Sequence, residues 1–318
     1  MQPFRLLFVF IALSCGAERD PSSLFGPNES GILVVDATLI VDQAMPPLYL
    51  RQTLSPNGMY TESMAAVSGA EVIISQGTFI YPYTEDSATP GRYLPPGNPP
   101  LITSQTEYKL LIRYAGNEAR ATTTTPDRIS IDEVVLLDGA TLDDVHRLTT
   151  YRDMPPDVFG APENQVVYQE FLLEVRFDRV DVQAYQVGIF SLDPESDFVI
   201  VADFLEEEDF EDFERESSSP PLEVADGRLR LPWFAIAFAG RHHLKVFAMD
   251  ENWYDFARSS PELQTGGFGG LAGDSFDRPI FRLDGAIGLF GSASVDSLGF
   301  VVLPRETTRN PQSKTLMR

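Results

Sequence analysis

The chain has 318 residues, with 24 Lys+Arg against 47 Asp+Glu and a formal net charge of −23. That acidity excludes nucleic acid as the main partner, because phosphate binding needs Lys and Arg to displace counterions, and it argues against a folded surface drawn by charge to anionic lipid. A single cysteine excludes an intramolecular disulfide and a cysteine-cluster zinc site, while 24 prolines and 23 glycines point to many short segments.

The N-terminus places Arg5 before the apolar run Leu6 to Leu13, which ends at Ser14-Cys15. One positive charge and a short apolar run read as a secretory signal, too short to span a bilayer comfortably. Small or apolar residues before the chain's only cysteine resemble a bacterial lipobox, although Ala12 stands where Leu is usual. Residues 1–14 are then a lipoprotein signal peptide, Cys15 is the lipidated residue, and 15–30 form a polar tether. The alternative is an ordinary signal peptide with an incidental cysteine. Acyl chains buried at ~0.8 kcal/mol per CH2 give a durable anchor.

From Gly31 the pattern has period two. Leu33, Val35, Ala37 and Leu39 share one face of a strand, and Leu48 and Leu50 continue after Pro46-Pro47. Residues 54–58 read as a turn, 67–74 as a turn into a strand, and 77–81 as its hairpin partner. Tyr108, Leu110, Ile112 and Tyr114 alternate with Glu107, Lys109 and Arg113, the signature of a half-buried strand. The Thr run ending at Pro126 closes residues 31–126, a small N-terminal β-sandwich.

Residues 127–304 read as a second, less regular β-rich domain, and 305–318 as a disordered tail. Strands are expected over 129–137, 171–178, 183–192, 198–204, 228–238, 243–249, 280–283 and 300–303, with residues 141–151 as a polar segment. The best short helix is 252–258. No βαβ rhythm is present, so a doubly wound nucleotide fold is not expected. The fold class is therefore mainly β: two sandwich-like units with few short helices.

Three segments carry a resemblance: Val67-Ser68-Gly69-Ala70-Glu71-Val72-Ile73-Ile74, Gly91-Arg92-Tyr93, and Glu107-Tyr108-Lys109-Leu110. With the Ala-Thr-rich strand Ala119 to Pro126 and the later Leu283-Asp284-Gly285-Ala286-Ile287-Gly288-Leu289-Phe290-Gly291, they resemble domain-of-unknown-function family 4249. The family usually has Gly where Ala286 stands and Asn where Arg282 stands. The resemblance implies an outer-membrane lipoprotein, often encoded beside TonB-dependent transporters, whose first domain is immunoglobulin- or transthyretin-like. It implies no catalytic residues.

The residues themselves offer little catalytic chemistry. There is no Gly-x-Ser-x-Gly elbow, and no Ser-x-x-Lys with its supporting motifs. Of three histidines, His146 lies in a polar stretch and reads as solvated or locally bonded. His242 and His243 are adjacent on a strand and point to opposite faces, which disfavours a shared metal. Nine of the fourteen residues from Asp203 to Glu216 are acidic. Glu206, Glu207, Glu208, Asp209, Glu211 and Asp212 form a solvated loop, a docking element for a basic partner, or a weak Ca2+ site without the spacing that fixes ligand geometry. Residues 265–273 are glycine-rich but follow no strand, so they read as a loop rather than a dinucleotide fingerprint. Trp233, Trp253 and Tyr254 form either a core cluster or a sugar-binding platform.

The reading that follows is a non-enzymatic binding or accessory lipoprotein of the outer membrane, on its periplasmic or surface face. Its expected partners are the membrane, through the N-terminal lipid, and a TonB-dependent transporter, with no cofactor. The alternatives are a carboxylate-dependent hydrolase of surface polysaccharide and a structural adhesin module.

Overall fold

The computed structural model describes residues 30–55, 59–148, 165–167, 171–200, 213–231, 235–260 and 279–303. The protein is mainly β, with two sheets and two short helices among these residues. No described helix is long and apolar enough to cross a membrane.

The first unit contains β1 (Leu33–Ile40), β2 (Leu48–Gln52), helix α1 (Glu62–Ala65), β3 (Glu71–Gln76), β4 (Phe79–Glu85), β5 (Arg92–Leu94), β6 (Glu107–Tyr114) and β7 (Asn117–Thr124). Its strands obey the pleat. On β1, Leu33, Val35, Ala37 and Leu39 are buried, and on β6 Tyr108, Leu110 and Ile112 are buried while Glu107, Lys109 and Arg113 meet water. These side chains join Leu48, Leu50, Val72, Ile74, Tyr83 and Tyr93 in one core. Tyr93 is buried whole because its hydroxyl donates to the Val67 carbonyl and accepts from the Ala70 N–H.

The second unit contains β8 (Ile131–Asp138), β9 (Asp144–Leu148), β10 (Gln165–Val167), β11 (Phe171–Phe177), β12 (Ala184–Ser191), β13 (Glu216–Ser218), β14 (Arg228–Leu231), β15 (Gly240–Met249), helix α2 (Glu251–Ser259), β16 (Leu283–Asp284) and β17 (Ala286–Leu303). A four-stranded sheet in the order β14-β11-β8-β9 packs against β13-β12-β15-β17 of the large sheet. Val134, Leu136, Leu173, Val175 and Leu229 meet Val187, Ile189, Leu244, Val246 and Phe300 between them.

One strand builds both units. The first half of β17 runs parallel to β1, from Leu33↔Ala286 to Ile40↔Ala293. Its second half runs antiparallel to β15, from Met249↔Ala293 to Gly240↔Val302. The large sheet therefore runs unbroken from β13 through β17 and β1 to β7 and β16. Residues 31–126 supply β1 to β7, and their core is completed by Ala286 and Phe290 from the far end of the chain. Gly288 has φ +106, and a Cβ there would stand 2.1 Å from the Val35 carbonyl oxygen, so only glycine lets β17 approach β1 this closely.

A buried polar seam ties the units where β7, β15, β17 and α2 meet. Asp250 caps α2, accepting from the Trp253 N–H, the Ser292 N–H and the Thr123 hydroxyl. Burial raises its carboxyl pKa above the ordinary value, against the pull of those donors. Asn252 donates to the carbonyls of Thr122 and Phe290. Ser294 and Asp296 of β17 accept from the N–H groups of Ile129 and Ile131, which fixes the crossing between units.

Several elements differ from the sequence expectation. The polar stretch 141–151 contains β9, because Leu148 packs inward beside Val134. In the expected strand 198–204, the described residues form only an isolated bridge, Phe198↔Phe238. The strand expected over 228–238 ends at Leu231 within the described residues. Residues 280–283 contribute only Leu283 to the two-residue β16, and 300–303 are the tail of β17.

Candidate functional site

The large sheet of the second unit has one face on the core and one turned away. Pairing of β12, β15 and β17 sets Phe190 beside His243 and Gly299, Gly188 beside Lys245 and Ser297, and Gln186 beside Phe247 and Val295. Directly opposed residues share a face. These side chains therefore line the face opposite Leu244, Val246 and Phe300, and Phe190, Phe247, Lys245, Gln186 and Val295 are each half-buried.

Two rings cover Gly188 on this face. A Cβ on Gly188 would lie 2.7 Å from Cε2 of Phe190 and 3.6 Å from Cε2 of Phe247, so the rings close over the bare backbone. The Lys245 ammonium sits 4.6 Å from the Phe190 ring centroid, near enough for attraction to the ring face. Trp253, in the first turn of α2, meets Phe247 at 5.8 Å between centroids. The face thus offers aromatic area, one ammonium and the Ser297 hydroxyl, while the Gln186 amide donates to the Ser219 carbonyl. Such a set suits stacking with a few orienting polar contacts.

The adjacent histidines separate as the strand period requires. His242 lies on the core side, 1% exposed, stacked on Phe300 and donating from Nδ1 to the Gly240 carbonyl. Burial lowers its pKa to about 4. His243 lies on the outer face, its pKa lowered by burial and by Lys245. His146 is half-buried on β9 opposite Leu136, and its buried Nε2 has no hydrogen-bond partner among the described residues. That atom is closed from water and has no local partner among the described residues, because β9 turns the ring toward the sheet's packed side.

The buried carboxylates are held by partners. Glu174, 0% exposed, accepts from Arg176 and Arg230, and Arg176 also reaches Asp144 and Glu133. Burial pushes the Glu174 carboxyl up, but the two arginine hydrogen bonds outweigh it and hold the pKa below the ordinary value. Asp255 is clasped between Arg258 and Arg282. Asp193 binds the Arg241 backbone and guanidinium. Among the described residues, no group of three His, Cys, Asp or Glu has the geometry of a metal site.

Of the residues singled out from sequence, Cys15, Glu206, Glu207, Glu208, Asp209, Glu211 and Asp212 lie outside the described residues, as do Trp233 and the 265–273 loop. At the acidic segment's end, Phe213 packs on Phe198 at 5.0 Å and against the second core. Tyr254 turns from Trp253 toward Glu223, to which its hydroxyl donates. The pair Phe190 and Phe247 was missed. Its only sequence signal is an aromatic on the off-core face of each of two strands distant in the chain.

The fold and this surface define a mainly β protein of two units joined through a shared strand, with an aromatic sheet face on the second. The chain belongs to the family described as domain of unknown function (DUF4249), which it matches over residues 20–298, most of its length. It matches none of the curated proteins with which it was compared.

Proposed function

We propose that this chain is an outer-membrane lipoprotein, held by lipid on Cys15, whose folded part is a non-enzymatic binding or accessory module working with a TonB-dependent transporter. The observation that carries the binding role is the outer face of the second unit, where Phe190 and Phe247 cover Gly188, Trp253 adjoins Phe247 and Lys245 lies over Phe190. The anchor rests on the N-terminal sequence, and the transporter on the family resemblance. Glu174, Asp250 and Asp255 are each occupied by arginines or by backbone and hydroxyl donors. That engagement supports structural roles for them over a hydrolytic pair.

The test is recovery from detergent-solubilised outer membrane with the anchor intact, the captured proteins being identified by mass spectrometry. A transporter should be recovered with the native chain. The double variant Phe190→Ser/Lys245→Ser should recover about tenfold less at an unchanged melting temperature, as expected when a ring and its cation leave a contact centre. Equal recovery by the variant would remove this face from the reading. Absence of any transporter would remove the partner.

A further inference from the structure

The folded part begins at one end of the first unit, and an exposed apolar loop sits at that same end. The Gly31 N–H donates to the Thr53 carbonyl, and the Ile32 N–H donates to the Thr53 hydroxyl. From Thr53, where β2 has just ended, the chain leaves the sheet and returns with Ala66 beside Arg51. Between these points lie Met59, Tyr60 and Met64, which are 78%, 63% and 56% exposed. The loop is built to show them. Thr61 caps α1 by accepting from the Met64 N–H, and Ala65 is buried as the helix's foot in the core, which leaves Met64 outward.

The second unit stands at the other end. Leu33 pairs with Gln52 beside the loop, whereas Val41, just past the far end of β1, donates to Ala293, and Ile129 donates to Ser294. Eight residues of strand separate these ends, roughly 25 Å at about 3.3 Å per residue. From Cys15 to Gly31 the chain advances 16 residues, a covalent reach of at most roughly 55 Å at about 3.4 Å per residue. A lipid on Cys15 is therefore joined to the fold at the loop's end, the end nearer the anchor, with the second unit a strand's length further away.

We propose that Met59, Tyr60 and Met64 form a tip that rests in the headgroup region of the membrane, so that the first unit stands on the bilayer and the second is held away from it. This rests on the reading of Cys15 as the lipidated residue. The surface it fits is zwitterionic phospholipid. Tyrosine suits the interface between headgroup and chain, and methionine adapts to an irregular apolar boundary. Glu62 is exposed within the same loop, and the chain carries −23 overall, so anionic lipid adds nothing.

The test uses the full lipidated chain on phosphatidylcholine vesicles, with flotation to record attachment and peroxide oxidation of Met59 and Met64 read by mass spectrometry. Bound protein should oxidise at both methionines at least about fivefold more slowly than soluble Cys15→Ser protein, as burial at the interface requires. Hydrogen exchange in residues 76–80, at the opposite end, should be unchanged. The variant Met59→Ser/Tyr60→Ser/Met64→Ser should still float but lose the protection of amides 59–66. Protein that floats with both methionines freely oxidised overturns the tip and leaves the anchor standing. Native protein that carries no lipid and does not float overturns both. Protection that grows with protein concentration without lipid would assign the tip to a second copy and overturn the membrane contact.

Discussion

His242 shows how one buried side chain couples stability to pH. Its ring is stacked on Phe300 and closed from water, and burial lowers its pKa to about 4, against about 6.5 in an unfolded chain. As pH falls, the unfolded chain takes the proton first. The contribution is therefore complete above about pH 6.5 and declines as pH drops toward 4. Between pH 7 and pH 5, the native chain should lose about 2 kcal/mol more stability than His242→Phe, which keeps a ring on Phe300 and cannot titrate. Urea unfolding at the two pH values measures the difference, and equal losses would show that His242 is not the group responsible. The opposed orientation of His242 and His243 was legible in the sequence, since a strand's period of two needs no tertiary knowledge. Its consequence was not, because which of the two enters the core depends on the sheet that covers them.

Among elements, β11 shows how a charge can be placed in a strand without disorder. Glu174 lies between Arg230 of β14 and Arg176 of its own strand, and Arg176 is shared with Glu133 and Asp144. Removing the carboxylate leaves Arg176 on Glu133 and Asp144 and Arg230 half in water, whereas removing Arg230 leaves a fully buried carboxylate hydrogen-bonded by Arg176 alone among the described residues. Arg230→Ala should therefore cost about 3 kcal/mol, whereas Glu174→Ala, which leaves no buried charge unpaired, should cost less. Denaturant midpoints of the two variants give the ratio, and similar costs would overturn this account. The strands differ in how plainly they announce themselves. β6 was readable because one face meets water, so Tyr108, Leu110 and Ile112 alternate with charge. β17 was not, because Gly288, Gly291, Ser292, Ser294 and Gly299 replace the usual β formers, and much of both faces is covered. The aromatic face was hidden for a related reason. Phe190 and Phe247 are brought to the same glycine, Gly188, only through the β12–β15 register.

At the scale of the whole molecule, β17 makes the two cores interdependent. Eight of its residues pair with β1 and ten with β15, so neither unit's part of the large sheet is complete without it. Calorimetry of the full chain should show one unfolding transition, and a chain ending at residue 285 should show none with cooperative character. A shortened chain that keeps the first unit's transition would overturn this. The direction of pairing has a mechanical meaning as well. β1 starts where the chain enters the fold, and β17 carries the second unit at its far end, with the two strands parallel. A pull between the N-terminus and anything gripping the second unit therefore acts along both strands in shear. All the hydrogen bonds of that register resist together, where an antiparallel hairpin pulled at its open end would unzip one bond at a time. The joint between the units is thus strongest along the line of a pull applied at the chain's entry into the fold.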